Sequence, residues 1–506
     1  MNYLGIEFGS TRIKAVAIDE AFKPVSSGDY VWKSDFRDGV WTYDLEEVWQ
    51  GLKAALAGID CKDDISCMGV SAMMHGYLAF DEDWNLLVPF RTWQNTMTEQ
   101  AADELTKAFG FNIPQRWSVA HLYQAILNNE EHIGKIAHIT TLAGYVHYML
   151  TGVNALGVGD ASGMFPIDSS TNDYDEAMLA KFDELISGKL SINKARTLLP
   201  DVLPAGADAG FITEEGSKLL DGLLKAGIKV APAEGDAGTG MTATNAVKPG
   251  TGNVSAGTSI FSMVVLKKPL ANVHMEIDVV TTPAGAPVAM VHCNNCTNDM
   301  NAWVSVIREA AALFGANPDT GELYTKLYEK SLEGDKDCGG VMTVNYMAGE
   351  GVTALNEGRP FVIRRPDSTF SLANLMRSQL YATMATLKTG MDILAAEGVE
   401  IDSITGHGGL FKTPVVGQSY LAAACNTPVT VMETAGEGGP YGMALLAAYA
   451  VQKGEDSLED FLSKKVFADA KSSTLNPDPE CVKGFNDYIA TFHGALDVER
   501  VAVTKI

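Results

Sequence analysis

An aspartate set among small residues, Gly235-Asp236-Ala237-Gly238, precedes the turn Gly257-Thr258-Ser259 by about twenty residues, and a second such turn, Gly9-Ser10-Thr11, lies about half a chain earlier. A carboxylate with no bulky neighbour can meet a substrate hydroxyl and take its proton. Each turn sits between apolar runs, Tyr3 to Asp19 and Thr251 to Leu266, and reads as a hairpin whose backbone N–H groups and hydroxyls stand uncovered. Such groups suit phosphate oxygens. Either hairpin alone is ordinary turn chemistry. The pair at half-chain spacing predicts a duplicated lobe and a polyphosphate clamped between the copies. Asp236 alone would read as an N-cap, because a small-residue helix follows it; that helix start would tend to keep its carboxylate ionised.

The elements that must position these residues follow from period and caps. Asp44, with Glu47 three residues on, is expected to open an amphipathic helix bearing Leu45, Val48, Trp49, Leu52 and Leu56. A buried strand is expected from Ile65 to Ser71, ending in Ala72-Met73-Met74-His75-Gly76. Polar residues there lie at the carboxyl end of a sheet strand, where open α/β sheets bind ligands. Helices should dominate from about Met97 to Leu150, broken at Pro114 and capped again by Ser118, before loop and short strands from Ser162 to Tyr174. A strand from Ile228 to Ala231 leads to Asp236 and a helix to about Ala246, and the turn Lys248-Pro249-Gly250 sets lobes of residues 1–246 and 247–506. The second lobe repeats the plan. Its long helix runs from Leu372 to Ala396 with apolar residues at spacings of three, four and seven. Strand Asp402 to Thr405 runs into Gly406-His407-Gly408-Gly409, Thr413-Pro414 starts a helix, and strand Val429 to Met432 precedes the glycine-rich run Gly436 to Gly442 and a last core helix.

Composition narrows the function classes. The chain has 506 residues, 46% apolar and 20% charged, which is enough core for two large domains or three small ones. Its net charge of −25, spread along the chain, opposes binding to a nucleic-acid backbone. A small anion is still acceptable, since local donors, a metal ion and a few lysines act at short range. No run approaches the roughly 18 apolar residues of a membrane helix, and no basic region precedes an apolar run at the N-terminus. A cytoplasmic protein without membrane contact is expected. Seven scattered cysteines do not form a disulfide framework, and Cys293-Asn294-Asn295-Cys296 lacks the second pair a structural zinc site would want, so buried reduced thiols are expected.

In this order and spacing, five segments resemble the FGGY carbohydrate kinases over nearly the whole chain: the first hairpin, Tyr148 to Gly152 with Asp160-Ala161-Ser162-Gly163, Gly235-Asp236, Ser255 to Ser259, and Gly406 to Pro428. The resemblance implies an α/β, two-lobed actin-like and ribonuclease-H-like ATPase fold with duplicated lobes. It places sugar binding and the catalytic base on the first lobe and ATP on the second. Phosphoryl transfer asks little covalent help of a protein, needing a base, a metal-neutralised triphosphate, donors around the γ-phosphate and exclusion of water.

The resemblance implies a role for each candidate. Asp236 becomes the base and a contact to the sugar. Gly9, Ser10 and Thr11 with Gly257, Thr258 and Ser259 become phosphate donors. Lys14 becomes their counter-charge, where composition alone would read a solvated strand residue. Glu7 stands where the family usually has aspartate, and with Asp236 it would hold Mg²⁺, although a structural carboxylate is the plain alternative. Met73, His75, Trp93 and Asn95 form the sugar segment: histidine can hydrogen-bond a hydroxyl and tryptophan can lie against the apolar face of a sugar. Their plain readings are a satisfied histidine at a strand end and a core tryptophan. Met73 stands where xylulokinases usually have glutamine, and Asn95 where many relatives have aspartate. Gly408 and Gly409 would let adenine lie against the backbone. The expected substrates are ATP, with Mg²⁺, and a small ketose, a pentulose such as xylulose or ribulose first, and family habit suggests a homodimer. Two other readings share the hairpins: an actin-like ATPase that transfers nothing to sugar, and a kinase-like sugar-binding protein that has lost turnover.

Overall fold

The computed structural model describes residues 1–189, 194–432 and 438–506. Its contacts divide the chain into two compact units, one of Met1–Pro249, Asp278–Val288 and Glu437–Ala470, the other of Gly250–Ile277, Ala289–Gly436 and Lys471–Ile506.

The first unit is built on a mixed sheet of β1 (Asn2–Phe8), β2 (Arg12–Ile18), β3 (Pro24–Val31), β4 (Ile65–Ala72), β5 (Lys229–Val230) and β6 (Glu234–Gly235). The order is β5-β4-β1-β2-β3, with β6 also paired to β4. Strands β1, β2 and β3 form an antiparallel meander, while β4 runs parallel to β1. Register then places four polar residues in one row: Lys14 opposite Glu7, Glu7 beside Ser71, and Ser71 beside Glu234. Paired residues project from the same face of a sheet, so this row shares one side. Apolar β1 side chains Tyr3, Leu4, Ile6 and Phe8 are fully buried. Burying one such side chain contributes about 1.5–3 kcal/mol. The helix Gly438–Gln452 lies so close to β1 that a Cβ on Gly5 would overlap Pro440 O and Ala444 N, which makes glycine the only residue for that crossing.

Local signals explain most of this unit. Asp44 caps helix Leu45–Ala57 by accepting from Glu46 N. The capping-box partner Glu47 instead takes the Tyr30 hydroxyl at 3.3 Å, which ties the helix to β3. Ser118 is not the cap of its helix: Trp117 occupies that position, and the Ser118 hydroxyl donates to Gly76 O. The region from Ser162 to Tyr174 contains two short strands, Ile167–Asp168 and Asp173–Tyr174.

The second unit carries a sheet in the order β9-β8-β7-β10-β11-β12, where β7 is Thr251–Ala256, β8 Ile260–Val265, β9 Pro287–Cys293, β10 Ser403–Gly408, β11 Val429–Met432 and β12 Ser472–Leu475. Hairpin β7–β8 is antiparallel and β10 runs parallel to β7, repeating the β1, β2 and β4 arrangement. The long helix is Leu372–Ala396, capped by Ser371 accepting from Asn374 N, with Met376, Leu380, Leu387 and Leu394 in the core of this unit. Strand β10 continues to Gly408, so Gly406 and His407 lie within the strand. The helix expected at Thr413-Pro414 starts at Val416, because Val415 takes a left-handed φ of 73°. The run Gly436 to Gly442 begins outside the described residues and continues as the helix from Gly438. All seven cysteines are free, and Cys293 and Cys296 are buried. Among the described residues, no helix is long and apolar enough to cross a membrane.

Candidate active site

Asp236 is the first residue of the helix Asp236–Ala243, directly after β6. Its Oδ1 accepts the Met74 N–H at 3.1 Å, so the end of β4 and the start of this helix are joined through the carboxylate. Solvent reaches the side chain. Protein nevertheless surrounds it closely enough that burial raises its carboxyl above the ordinary range, while N–H groups of Met74, Ala237 and Asp236 itself pull it down. The helix start therefore acts in the expected direction, but burial is the larger effect.

Glu7 projects on the same sheet face as Ser71, whose hydroxyl meets Thr239 Oγ1 at 3.2 Å in the Asp236 helix. A Cβ on Gly439 would overlap Glu7 Oε1, so the helix Gly438–Gln452 begins with the room that this carboxylate needs. Burial and the neighbouring Asp236 push Glu7 up to about 7, against the pull of Lys14. Glu7 and the Asp236 that raises it present hard oxygen donors, and a divalent cation would relieve the repulsion felt by Glu7. Those donors fit Mg²⁺.

The first turn holds its shape through its carbonyls. Gly9 O accepts Trp32 Nε1 at 2.7 Å, Ser10 O accepts the Tyr43 hydroxyl at 2.8 Å, and Thr11 O accepts Trp32 N at 3.2 Å. With every carbonyl occupied from within and the Gly9 N–H donating to Arg12 O at 2.9 Å, the turn leaves the donors of Ser10 and Thr11, and not the expected one of Gly9, to a ligand. Lys14 is exposed and lies across the ladder from Glu7.

Past β4 the chain turns sharply, with left-handed φ of 70° at His75 and 91° at Gly76. A non-glycine residue held there is strained, and such strain persists only where surrounding contacts fix it. His75 Nδ1 lies 3.2 Å from Gly163 O and the ring stacks on Trp117 at 6.1 Å. A carbonyl partner requires the proton on Nδ1, which makes Nε2 the acceptor. Gly76 N donates to Arg116 O at 3.1 Å, and Arg116 pairs with the buried Asp278, which also accepts from Asn112 at 3.1 Å. Met73 is buried, and its N–H bonds Phe8 O at 3.0 Å. Trp93 is half-buried. Asn95 is buried with both ends of its amide spent on the main chain: Oδ1 accepts Trp41 N at 2.8 Å, and Nδ2 donates to Trp41 O at 2.8 Å and Thr92 O at 3.0 Å. An aspartate could not make the two donor contacts.

In the second unit, Gly257 and Thr258 are exposed and Ser259 is half-buried. Their carbonyls are also occupied: Gly257 O accepts Thr297 Oγ1 at 2.8 Å and Thr297 N at 3.3 Å, Thr258 O accepts Cys296 N at 3.1 Å, and Ser259 O accepts Gly257 N at 2.9 Å. The segment that grips this turn contains the CxxC motif, whose thiols are pushed up by burial, Cys296 to about 12. Gly408, the last residue of β10, and Gly409, which follows the strand, differ. A Cβ on Gly408, at φ 100°, would overlap Ala256 O, whereas one on Gly409 would meet nothing within 4 Å.

Two carboxyl groups that sequence reasoning gave no role, Asp160 having been named only within a matching segment, complete the Asp236 surroundings. Asp160 is fully buried, receives the Thr141 hydroxyl at 2.6 Å and is pushed up to about 7 by burial, with Asp236 adding to the effect. Glu234 is buried and raised to about 8 by burial and by Asp160. The available signal was Gly157-Val158-Gly159-Asp160, a glycine pair beside an acid that clears space for a neighbouring side chain.

Family models for the two domains of FGGY carbohydrate kinases match this chain, the N-terminal domain over residues 2–242 and the C-terminal domain over 252–451. The chain is 23% identical over 506 residues to a xylulose kinase of Haemophilus influenzae, covering 96% of this chain and 97% of that one. It is 22% identical over 419 residues to a ribulokinase of Bacillus licheniformis, covering 79% and 71%. Its fold is similar to the structure of a ligand-bound xylulose kinase from Lactobacillus acidophilus, with a TM-score of 0.80 at 16% identity over 98% of both chains. These matches show the expected α/β fold of the two-lobed ribonuclease-H-like and actin-like ATPases. The chain belongs to the FGGY family of carbohydrate kinases, enzymes that use ATP to phosphorylate a sugar.

Proposed function

We propose that this kinase transfers the γ-phosphoryl group of ATP to a terminal hydroxyl of a small ketose, a pentulose such as xylulose or ribulose, with Asp236 as general base. The observation that carries the reading is the placement of Asp236 at the head of a helix, fixed by Met74 N–H beside the His75 turn and reached by solvent. The names of the Haemophilus and Bacillus relatives support the pentulose class.

In this reading Asp236 accepts the hydroxyl proton as the new O–P bond forms and the bond from the γ-phosphorus to the bridging oxygen breaks, leaving ADP. The raised carboxyl suits a group that must gain a proton, while its N–H partners keep it oriented. His75 Nε2 accepts from a sugar hydroxyl, Trp93 lies against the carbon face, and Met73 bounds the pocket. Asn95 serves the sugar by fixing the strand Val40–Thr42 at Trp41. Ser10, Thr11 and Lys14 in the first lobe, residues 1–246, and Thr258 and Ser259 in the second, residues 247–506, donate to phosphate oxygens, while Gly9 and Gly257, whose N–H groups are spent on Arg12 O and Ser259 O, keep the turns open to the ligand. Gly409, with Gly408 behind it, gives adenine a surface without side chains. Glu7 and Asp236 would hold Mg²⁺, which would neutralise charge on the phosphates.

The test measures ATP consumption by the purified protein alone and with pentuloses, hexuloses, polyols and aldonates. Consumption that rises only with a pentulose is expected. Sugar-independent consumption would instead fit an actin-like ATPase, and none at all a binding protein. Asp236→Asn should fold normally and lose turnover by about 10²-fold or more. Near-wild-type activity in that variant sinks the base assignment.

A further inference from the structure

Two residues before the proposed base lies a buried carboxylate for which the transfer reaction itself has no use. Glu234 is 1% exposed. Its side chain fills a recess cleared by glycines: a Cβ on Gly157 or Gly159 would overlap the carboxyl group, and one on Gly238 would come within 3.3 Å of Oε2. Inside that recess Asp160 N donates to Oε2 at 3.0 Å and Gly159 N to Oε1 at 3.4 Å, and the Gly235 N–H bonds the same group. Gly157 N adds a main-chain tie to Ala233 O at 2.7 Å.

These contacts join two chain segments about 75 residues apart, Gly157–Asp160 and Ala233–Asp236. Burying a polar carboxyl group is costly unless hydrogen bonds repay it, so a purely space-filling role would be better served by an apolar residue. The donors converge on both oxygens, which a carboxyl group allows and an amide, whose N–H₂ would face a backbone N–H, does not. The bend from β6 into the Asp236 helix is thereby held from behind, while Met74 N–H holds the Asp236 carboxylate from the front.

We infer that Glu234 is a positioning residue for Asp236, fixing through Gly159, Asp160 and Gly235 the backbone that aims the base. The inference rests on Asp236 being the base. Glu234→Gln, Asp236→Asn and the double variant are compared for kcat and for the KM of sugar and ATP, with thermal melting as a fold check. Glu234→Gln should lower kcat by about tenfold, a fraction of what a 1 Å misplacement can cost, with both KM values unchanged. In the Asp236→Asn background it should lower the residual rate no further. An equal loss in both backgrounds would show independent action and overturn the inference while leaving Asp236 as the base. A raised KM with kcat kept, or no effect, would also overturn it. Near-wild-type turnover in Asp236→Asn would instead remove the base reading on which the inference stands. Should Glu234→Gln melt early, Gly159→Ala crowds the same carboxyl from the opposite side, and a kcat loss that vanishes in the Asp236→Asn background is expected there too.

Discussion

Hairpins β1–β2 and β7–β8 solve one problem with different materials. In both, an antiparallel pair lies beside a parallel third strand, and all three turn carbonyls are occupied from within the protein. The first turn uses the indole and main chain of Trp32 and the phenol of Tyr43. The second uses Thr297 and Cys296, at the start of the helix Asn298–Leu313. Shared topology thus fixes where donors face, while the groups that hold the carbonyls have diverged. The larger difference is charge. Two residues before its glycine, the first hairpin carries Glu7 and the second Ser255. Asp236 stands near enough to Glu7 to raise its carboxyl. The first hairpin is therefore the one suited to a cation, and the second offers neutral donors alone.

Removing that asymmetry should produce the largest effect. Glu7→Gln keeps the side-chain length and deletes the charge, and we expect kcat to fall by about 10²-fold with a higher Mg²⁺ concentration needed for half-maximal rate. Ser255→Ala should change neither by more than about twofold, since it removes at most one neutral hydrogen bond. Titrating Mg²⁺ against rate in both variants checks this. Equal effects would erase the distinction between the hairpins.

The two glycines that follow Ala256 across the sheet sharpen the second hairpin. Gly408→Ala must place a methyl against Ala256 O at a left-handed φ, and should destabilise the protein by about 1–3 kcal/mol. Gly409→Ala meets open space and should melt like wild type while raising the KM for ATP. Melting and KM measured together separate the two. A Gly409→Ala protein with unchanged KM would remove the adenine surface from that position.

What could be read beforehand divides along physical lines. The long helix Leu372–Ala396 and strand Val429–Met432 were legible to the residue, because core periodicity, a serine cap and bounding turns are local signals. The hairpins were legible because glycine with hydroxyl residues between apolar runs is also local. Ser118 misled because its hydroxyl is taken by Gly76 O, 42 residues away in sequence, which no helix-start rule can register. Asn95 looked like a ligand contact, yet its amide is spent on Trp41, 54 residues away. Glu234 and Asp160 received no role from the sequence for the same reason, as their environment is made by glycines of another segment. Local chemistry thus reveals which groups exist, and long-range contacts decide which remain available to a substrate.

Each unit also carries a buried carboxyl raised by desolvation, Asp160 in the first and Glu350 in the second, both to about 7. In the unfolded chain these groups titrate near the ordinary carboxylate range, so between there and about pH 7 the folded state binds more protons. Stability contributed by each therefore falls as pH rises through that window and is constant above it. Glu350→Gln should melt progressively higher relative to wild type from pH 5 to 7.5, keeping the Asn295 contacts that an amide oxygen can accept. A pH-independent difference would mean that the carboxyl is not displaced.

The smallest expected effects test the carbonyl ties themselves. Thr297→Val deletes the hydroxyl bond to Gly257 O but leaves the N–H bond, and Tyr43→Phe deletes the only side-chain bond described to Ser10 O. One neutral hydrogen bond is worth about 0.5–1.5 kcal/mol, so each variant should shift a substrate constant by about threefold. If both hairpins grip the triphosphate, both substitutions raise the KM for ATP and leave that for sugar alone. The Thr297 variant retains a second donor to the same oxygen, so its shift should be the smaller. A Tyr43→Phe enzyme whose ATP constant is unmoved, with Thr297→Val clearly impaired, would leave the second hairpin as the sole phosphate grip and confine the first to Glu7.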